Sequence, residues 1–158
     1  MLEGEAVITS SGTIINQGAK TIQYVISTVG PKGPADKTKD KLLFNAYYNS
    51  LLLAAGIKNS NLFKTVAFPS ISTGIFKYPA DHAAPAAISG IIQAIQEFPE
   101  SFDTVQLVIH PGNVAKPPYA IEIQKPRYKR MINNENEPSP VAISIQKMND
   151  SKQVIYQP

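Results

Sequence analysis

Between positions 21 and 110, short β-branched or apolar runs alternate with longer stretches of helical period, the pattern of strand–helix–strand units feeding a largely parallel sheet. Three runs are expected as strands. Thr21–Val29 is stopped by Gly30-Pro31, and Thr104–His110 by Pro111-Gly112. Thr65–Ile71 contains Pro69, which has no N–H to give a ladder and so belongs near the strand's end. Runs this apolar suit strands covered on both faces. A first helix is expected over about residues 40–55, where Leu43, Ala46, Tyr47, Leu51 and Ala54 recur at three and four and share a face, with Gly56 as its stop. Of the neighbouring Tyr47 and Tyr48, the period turns one to the core and the other to the surface. A second helix is expected over about residues 80–97, with Ala84, Ala87, Ile88, Ile91 and Ile95 on one stripe and Pro79 at its start. Pro85 falls about one turn in and is expected to bend or loosen that turn.

The stretch after Pro111 changes character, with Lys116-Pro117-Pro118, then Lys125-Pro126-Arg127-Tyr128-Lys129-Arg130, then the polar run from Asn133 to Pro140. A boundary is therefore drawn at about residue 115, giving one domain over 1–115 and an extension over 116–158 that combines linker with short strands. Val141–Gln146 and Gln153–Tyr156 are expected to form a hairpin around Met148–Ser151, and Tyr119–Gln124 a further short strand.

Composition narrows the function classes. A chain of 158 residues buries one sizeable core, and 43% hydrophobic with 17% charged residues excludes wholesale disorder. Without cysteine there is no disulfide framework, thiolate metal site or thiol nucleophile, and two histidines, His82 and His110, offer little for an imidazole site, so no metal or cofactor is expected. Apolar stretches such as Leu51–Ile57 and Ile88–Ile95 are far short of the roughly 20 residues of a membrane span. The first five residues lack the basic start and apolar core of a secretory signal, so an intracellular, cytoplasmic address with no membrane partner is expected. A net charge of +3 is too mild to imply nucleic-acid binding.

The chemistry-bearing segment is Phe68-Pro69-Ser70-Ile71-Ser72-Thr73-Gly74-Ile75-Phe76-Lys77-Tyr78-Pro79, which joins the end of a strand to the start of a helix through hydroxylated residues and one glycine. In an open α/β sheet, ligands bind beyond the carboxyl ends of the strands, and amides unpaired near a helix start favour anions such as a diphosphate. Gly74 removes a Cβ from the path of an oxyanion, Ser72 and Thr73 can add hydroxyl donors, and Phe76 can close over a sugar or base. The same spacing also suits an ordinary capped turn.

Taken in order, Gly4–Thr9, Tyr24–Pro31, Tyr48-Asn49-Ser50-Leu51, Ala67–Phe76 and Tyr78-Pro79 before an alanine-rich helix resemble the second half of a macro domain, the ADP-ribose-binding module, over roughly residues 4–110 and most specifically over Pro69–Pro79. The resemblance implies a three-layer α/β/α fold, truncated at its N-terminus. It also implies ADP-ribose, or an ADP-ribosylated protein, as the partner. Ser72, Thr73, Gly74, Ile75 and Phe76 are then the expected ligand contacts, with Ser70, His110 and Asn113 as weaker candidates, and Val29-Gly30-Pro31 is a structural turn beside the cleft. The family's Gly-Asp-Ile segment, its Asn-Ala-Ala-Asn strand and its first Gly-rich loop have no counterpart here. Hydrolytic branches of the family draw on that half, so a binding module rather than an enzyme is expected; the activity implied, if there is one, is ADP-ribosyl hydrolysis.

The missing Asn-bearing strand lies, in the family, between the counterparts of Thr21–Val29 and Thr65–Ile71. Buried unpaired backbone groups would cost about 1–3 kcal/mol each. The two strands are therefore expected to pair directly or to accept a substitute: a C-terminal segment, a second copy of the chain or a separate polypeptide. An alternative function follows, a non-catalytic interaction module pairing through its open sheet edge.

Other residues carry weaker signals. His110 ends a strand where a ligand can reach it, and Asn113 follows in the same turn, yet neither has an identifiable catalytic partner. His82 beside Asp81 serves to cap and solvate a helix end. Lys125, Arg127, Lys129 and Arg130 around Tyr128 can track a polyanion, but a solvated linker is the plainer account with Glu135 and Glu137 close behind.

Overall fold

A computed structural model describes residues 1–12, 22–57, 65–109, 116–128 and 142–147. Five strands and three helices run in the order β1 (Ala6–Ser10), β2 (Tyr24–Thr28), α1 (Lys37–Ala55), β3 (Thr65–Phe68), α2 (Ala80–Glu97), β4 (Thr104–Ile109), α3 (Lys116–Ile123) and β5 (Ala142–Lys147), with a 3-10 turn at Pro99–Ser101 before β4. β3, β4 and β5 form a parallel sheet in that order, with Val66 opposite Val105 and Val105 opposite Ile143. β1 and β2 form a separate antiparallel pair, with Ile8 opposite Ile26.

The expected helices are present, and their apolar stripes face one core. On α1, Leu43, Ala46, Tyr47, Leu51 and Ala54 are all buried. The helix starts earlier than its periodicity indicates because Asp36 caps it, its Oδ1 accepting the Lys39 N–H at 2.9 Å. On α2, burial extends beyond the expected stripe to Ala83, Ala86, Ile92 and Ala94, because the helix is flanked by α1 on one side and α3 on the other. The crossing with α1 is close: a Cβ on Gly90 would lie 2.7 Å from the Phe44 carbonyl oxygen. Pro85 lies inside an unbroken α2. The helix runs on through the proline, and burial of ten of its eighteen residues offsets one lost hydrogen bond.

Two further expectations are corrected. Tyr119–Gln124 is not a strand: residues 116–123 are helical. Pro117 and Pro118, read as linker punctuation, occupy a first helical turn, where missing N–H groups cost nothing. The same turn brings Tyr119 and Ile123 to one face, and Tyr119 and Tyr128 join the core. Second, β2 and β3 do not pair directly, and the C-terminal strand does not stand between them, because β5 pairs with the far side of β4; a second copy or a separate polypeptide remains as the expected substitute. The penalty that argued otherwise applies only to buried groups. In β2, Tyr24 and Ser27 are exposed, as are Thr65 and Ala67 in β3, so free edge groups reach water. Of the expected C-terminal hairpin, β5 is a strand, and Gln153–Tyr156 lies outside the described residues.

Candidate functional site

β3 ends at Phe68, and the segment from Pro69 to Pro79 then crosses to the start of α2. Three elements fix it. From α1, the buried Tyr47 hydroxyl donates to the Pro69 carbonyl at 3.0 Å and accepts the Ile71 N–H at 2.9 Å. It also lies 3.1 Å from the Tyr119 hydroxyl on α3, which must be the donor because the single Tyr47 proton is already committed. Burial pushes the Tyr47 phenol up to about 12 despite these bonds, and the Tyr119 phenol rises too, chiefly through burial. At the other end of the segment, the Tyr78 hydroxyl donates to Asp40 Oδ1 of α1 at 2.6 Å, and His82 Nδ1 lies 3.3 Å from Asp40 Oδ2. Burial, then the bonded carboxylate, raise the Tyr78 phenol. The turn after β2 supplies the third hold. Gly33 donates its N–H to the Phe76 carbonyl at 3.1 Å, and a Cβ on Gly30 would overlap Ser72 Oγ and Ile71.

Between these anchors the backbone closes on itself, the Tyr78 N–H bonding the Ser72 carbonyl at 3.0 Å and the Lys77 N–H the Gly74 carbonyl at 3.0 Å. Ser72 (φ 66°) and Lys77 (φ 52°) frame this closed loop, and among the described residues they are the two non-glycine positions with positive φ. Each stores about 1 kcal/mol or more of backbone strain. Within the frame, the amides of Gly74, Ile75 and Phe76 donate to no acceptor among the described residues, and all three residues are exposed, Ile75 at 93%. Such a row of free amides is a nest for an anion. Gly74 itself has negative φ, and nothing lies within 4 Å of the space its Cβ would fill.

The expected ligand contacts are therefore contiguous, but they divide by chemistry. Gly74, Ile75 and Phe76 are exposed and leave their backbone donors without an acceptor among the described residues. The hydroxyls of Ser72 and Thr73 turn inward: Thr73 Oγ1 donates to the Ser70 carbonyl at 2.9 Å, and Ser72 Oγ is buried against Gly30 without a hydrogen-bond partner. Ser70 sits at the base of the loop as that acceptor. His110 and Asn113 lie outside the described residues. Sequence reasoning missed the scaffold, Tyr47, Asp40, Tyr78 and Gly33. One signal was readable: a tyrosine at a core position needs a partner for its hydroxyl.

The basic cluster beyond α3 is largely engaged. Buried Glu122 takes Lys125 Nζ at 2.5 Å, Arg127 Nη2 and the Tyr128 hydroxyl at 2.9 Å. Burial alone would raise this carboxyl, but the three donors together hold it below its ordinary value. Lys129 and Arg130 lie outside the described residues. An open groove of about 470 Å³ runs between α1 and α2 past Asp40, Phe44, His82 and Ser89, on the surface of the helical layer. Among the described residues no group of three or more His, Cys, Asp or Glu side chains is placed to hold a metal, and no helix is long and apolar enough to cross a membrane.

Comparison with known proteins bears on the fold and the family. The Macro domain family model matches residues 1–87, more than half of the chain. An uncharacterised protein of Fusobacterium nucleatum is 34% identical over 130 residues, covering 82% of this chain and 65% of that protein. The O-acetyl-ADP-ribose deacetylase of Escherichia coli K12 is 39% identical over 94 residues, 58% of this chain and 47% of that enzyme. Among solved structures, a variant Oceanobacillus iheyensis macrodomain with ADPR superposes at a TM-score of 0.59 with 33% identity, covering 81% of this chain and 61% of that one. The chain thus spans about half to two thirds of the length of these relatives. With a family model covering most of the segment that builds the loop, and related macrodomains sharing its fold, this chain belongs to the macro domain family.

Proposed function

We propose that the chain binds ADP-ribose, or a related nucleotide diphosphate, on the loop from Ser72 to Phe76. The observation that carries this reading is the row of amides at Gly74, Ile75 and Phe76, on exposed residues of an anchored loop, that donate to no acceptor among the described residues. Backbone donors of this kind compensate the charge of a diphosphate without desolvating a counter-ion, and a loop already ordered loses little entropy on binding. Half-exposed Phe76 stands beside them, ready to cover a ribose. Gly74 supports the reading from another side. Nothing lies within 4 Å of the space its Cβ would fill, so an oxyanion can approach a bare Cα there. The macrodomain with ADPR and the O-acetyl-ADP-ribose deacetylases among the relatives favour the same ligand class.

Calorimetric titration with ADP-ribose tests this, using the wild type and Gly74→Val. The variant is expected to keep wild-type thermal stability within about 0.5 kcal/mol, because its side chain meets only solvent, and to lose affinity at least tenfold. Millimolar or weaker binding by the wild type, or equal binding by the variant, refutes the assignment. Sizing chromatography addresses the other reading, the interaction module, which the unpaired outer edge of β3 among the described residues favours. A monomer that binds ADP-ribose excludes it, and an oligomer without ligand affinity supports it.

A further inference from the structure

Lys77 is the member of the loop frame whose backbone is anchored while its side chain engages nothing among the described residues. Its backbone sits at φ 52°, a region glycine reaches freely and lysine only under strain. Its side chain is exposed, and its ammonium meets no carboxylate, carbonyl or ring among the described residues. Ser72, the other strained residue, is at least packed against Gly30. The anchored backbone fixes where the Lys77 stem leaves the loop, and the unengaged ammonium at its tip is available to a ligand.

Its placement says toward what. The Lys77 N–H bonds the Gly74 carbonyl, closing a turn whose central residues, Ile75 and Phe76, carry two of the three free amides. The lysine is thus rooted immediately beside the amide row, on a flexible four-carbon stem with three donors at its tip. Of the other charges near the loop, Lys32 beside Gly33 is also exposed and without a partner among the described residues, whereas Lys39 and Asp40 are committed. Lys39 Nζ donates to the Pro34 carbonyl at 3.0 Å with Asp36 at 4.0 Å, and Asp40 is held by Tyr78 and His82. Neutral amides offset only part of a diphosphate's charge, and an unpaired ammonium one residue away supplies the remainder as a charge-assisted hydrogen bond.

We propose that Lys77 clamps the diphosphate from the exit side of the loop, acting as a mobile point charge that complements the fixed amide row. This rests on the ligand class assigned above. It makes Lys77 a determinant of affinity for the charged centre of the ligand rather than for its base or sugars.

The test is calorimetric titration with ADP-ribose of the wild type, Lys77→Met, Lys77→Gly and Lys77→Arg, at about 50 mM and about 300 mM salt, where screening differs strongly. Met removes the charge and keeps the strained backbone; Gly removes both; Arg keeps the charge. Affinity is expected to fall about three- to tenfold in both the Met and Gly variants, the range of one hydrogen bond to a charged group near solvent. The salt dependence flattens in those two, and Arg retains most of the wild-type affinity. Thermal melts are expected to show Lys77→Gly more stable than the wild type and Lys77→Met unchanged, so a shared loss of affinity separates charge from strain. Wild-type affinity in Lys77→Met, with the wild type binding normally, overturns the role of Lys77 and leaves the ligand assignment standing. Absence of ADP-ribose binding by the wild type overturns both.

Discussion

Replacing Tyr47 by phenylalanine is the sharpest probe of how this fold positions its loop. The hydroxyl uses its full valence, donating to the Pro69 carbonyl and accepting from the Ile71 N–H and the Tyr119 hydroxyl. Phenylalanine fills the same space and satisfies none of the three. Pro69 is exposed, so its carbonyl finds water or the re-aimed Tyr119 proton. The Ile71 N–H is part-buried, so water replaces its partner incompletely. A donor left largely unsatisfied in this way costs about 1–3 kcal/mol, and a partly compensated second group adds a fraction of that. The expected loss is about 2–3 kcal/mol. For a chain of this size that lowers the melting temperature by about 5–10 °C. Tyr119→Phe is the control: it leaves Tyr47 its donor bond and its bond from Ile71, so the cost is about 1 kcal/mol or less. Urea unfolding with both midpoint and slope recorded gives the comparison, because an unchanged slope shows that stability alone has moved. ADP-ribose affinity should follow the same order, falling more in Tyr47→Phe, whose loop is released at its start. Equal stabilities of the two variants, or a Tyr47→Phe variant within about 0.5 kcal/mol of the wild type, would show that the hydroxyl does not hold the loop.

Two pH-dependent outcomes follow from the same packing. The Tyr47 phenol is pushed up to about 12, with Tyr78 and Tyr119 also raised, while an unfolded tyrosine ionises near 10. The folded state therefore holds protons that the unfolded chain releases, and the contribution is complete below pH 10 and lost as the pH climbs to about 12. Phenolate absorbance should rise together with loss of far-ultraviolet circular dichroism; titration of all seven tyrosines near 10 with the fold intact would refute the burial argument. Glu122 works in the opposite direction, its carboxyl held below 4.5, so its contribution is present above that value and disappears as the pH falls through the depressed one. Glu122→Gln should cost about 1 kcal/mol at neutral pH, discounted because Lys125 and Arg127 are half exposed, and should flatten the acid limb of stability against pH; an unchanged acid limb means the cluster does not dock α3.

Much of the fold is legible in the sequence because the relevant signals are local and periodic. The stripe Leu43, Ala46, Tyr47, Leu51, Ala54 can be satisfied only by a helix packed on one side, and that is its observed state. The loop was legible for a different reason, since a hydroxylated, glycine-bearing bend between strand and helix has few alternatives. What could not be read is what depends on partners distant in sequence. Tyr119-Ala120-Ile121 alternates well enough for a strand, and only contact with Tyr47 and α2 selects the helix. The inward turn of the Ser72 and Thr73 hydroxyls depends on Gly30 and on the Ser70 carbonyl, neither visible as a constraint until the chain is folded. The pairing of β2 failed for a similar cause. The penalty was assessed for buried strands, and burial is a tertiary property that β-branched composition does not report.

The anchors and the strain are best understood as one device. Left-handed backbone at Ser72 and Lys77 together costs about 2–4 kcal/mol, so a free loop of this sequence would relax and scatter its amides. It is held because α1 grips both ends, Tyr47 at the start and Asp40 through Tyr78 at the finish, while Gly33 ties down the middle at Phe76. None of these contacts uses the N–H of Gly74, Ile75 or Phe76, and so none of them competes with a ligand for those donors. On the proposed function, the ordering that binding would otherwise have to supply is completed during folding, and a diphosphate would meet donors already in place. On this view the stability of α1 and the affinity of the loop are coupled through one buried hydroxyl and one carboxylate. A helix that otherwise serves only to cover a sheet becomes the part of the molecule that determines whether the loop can bind.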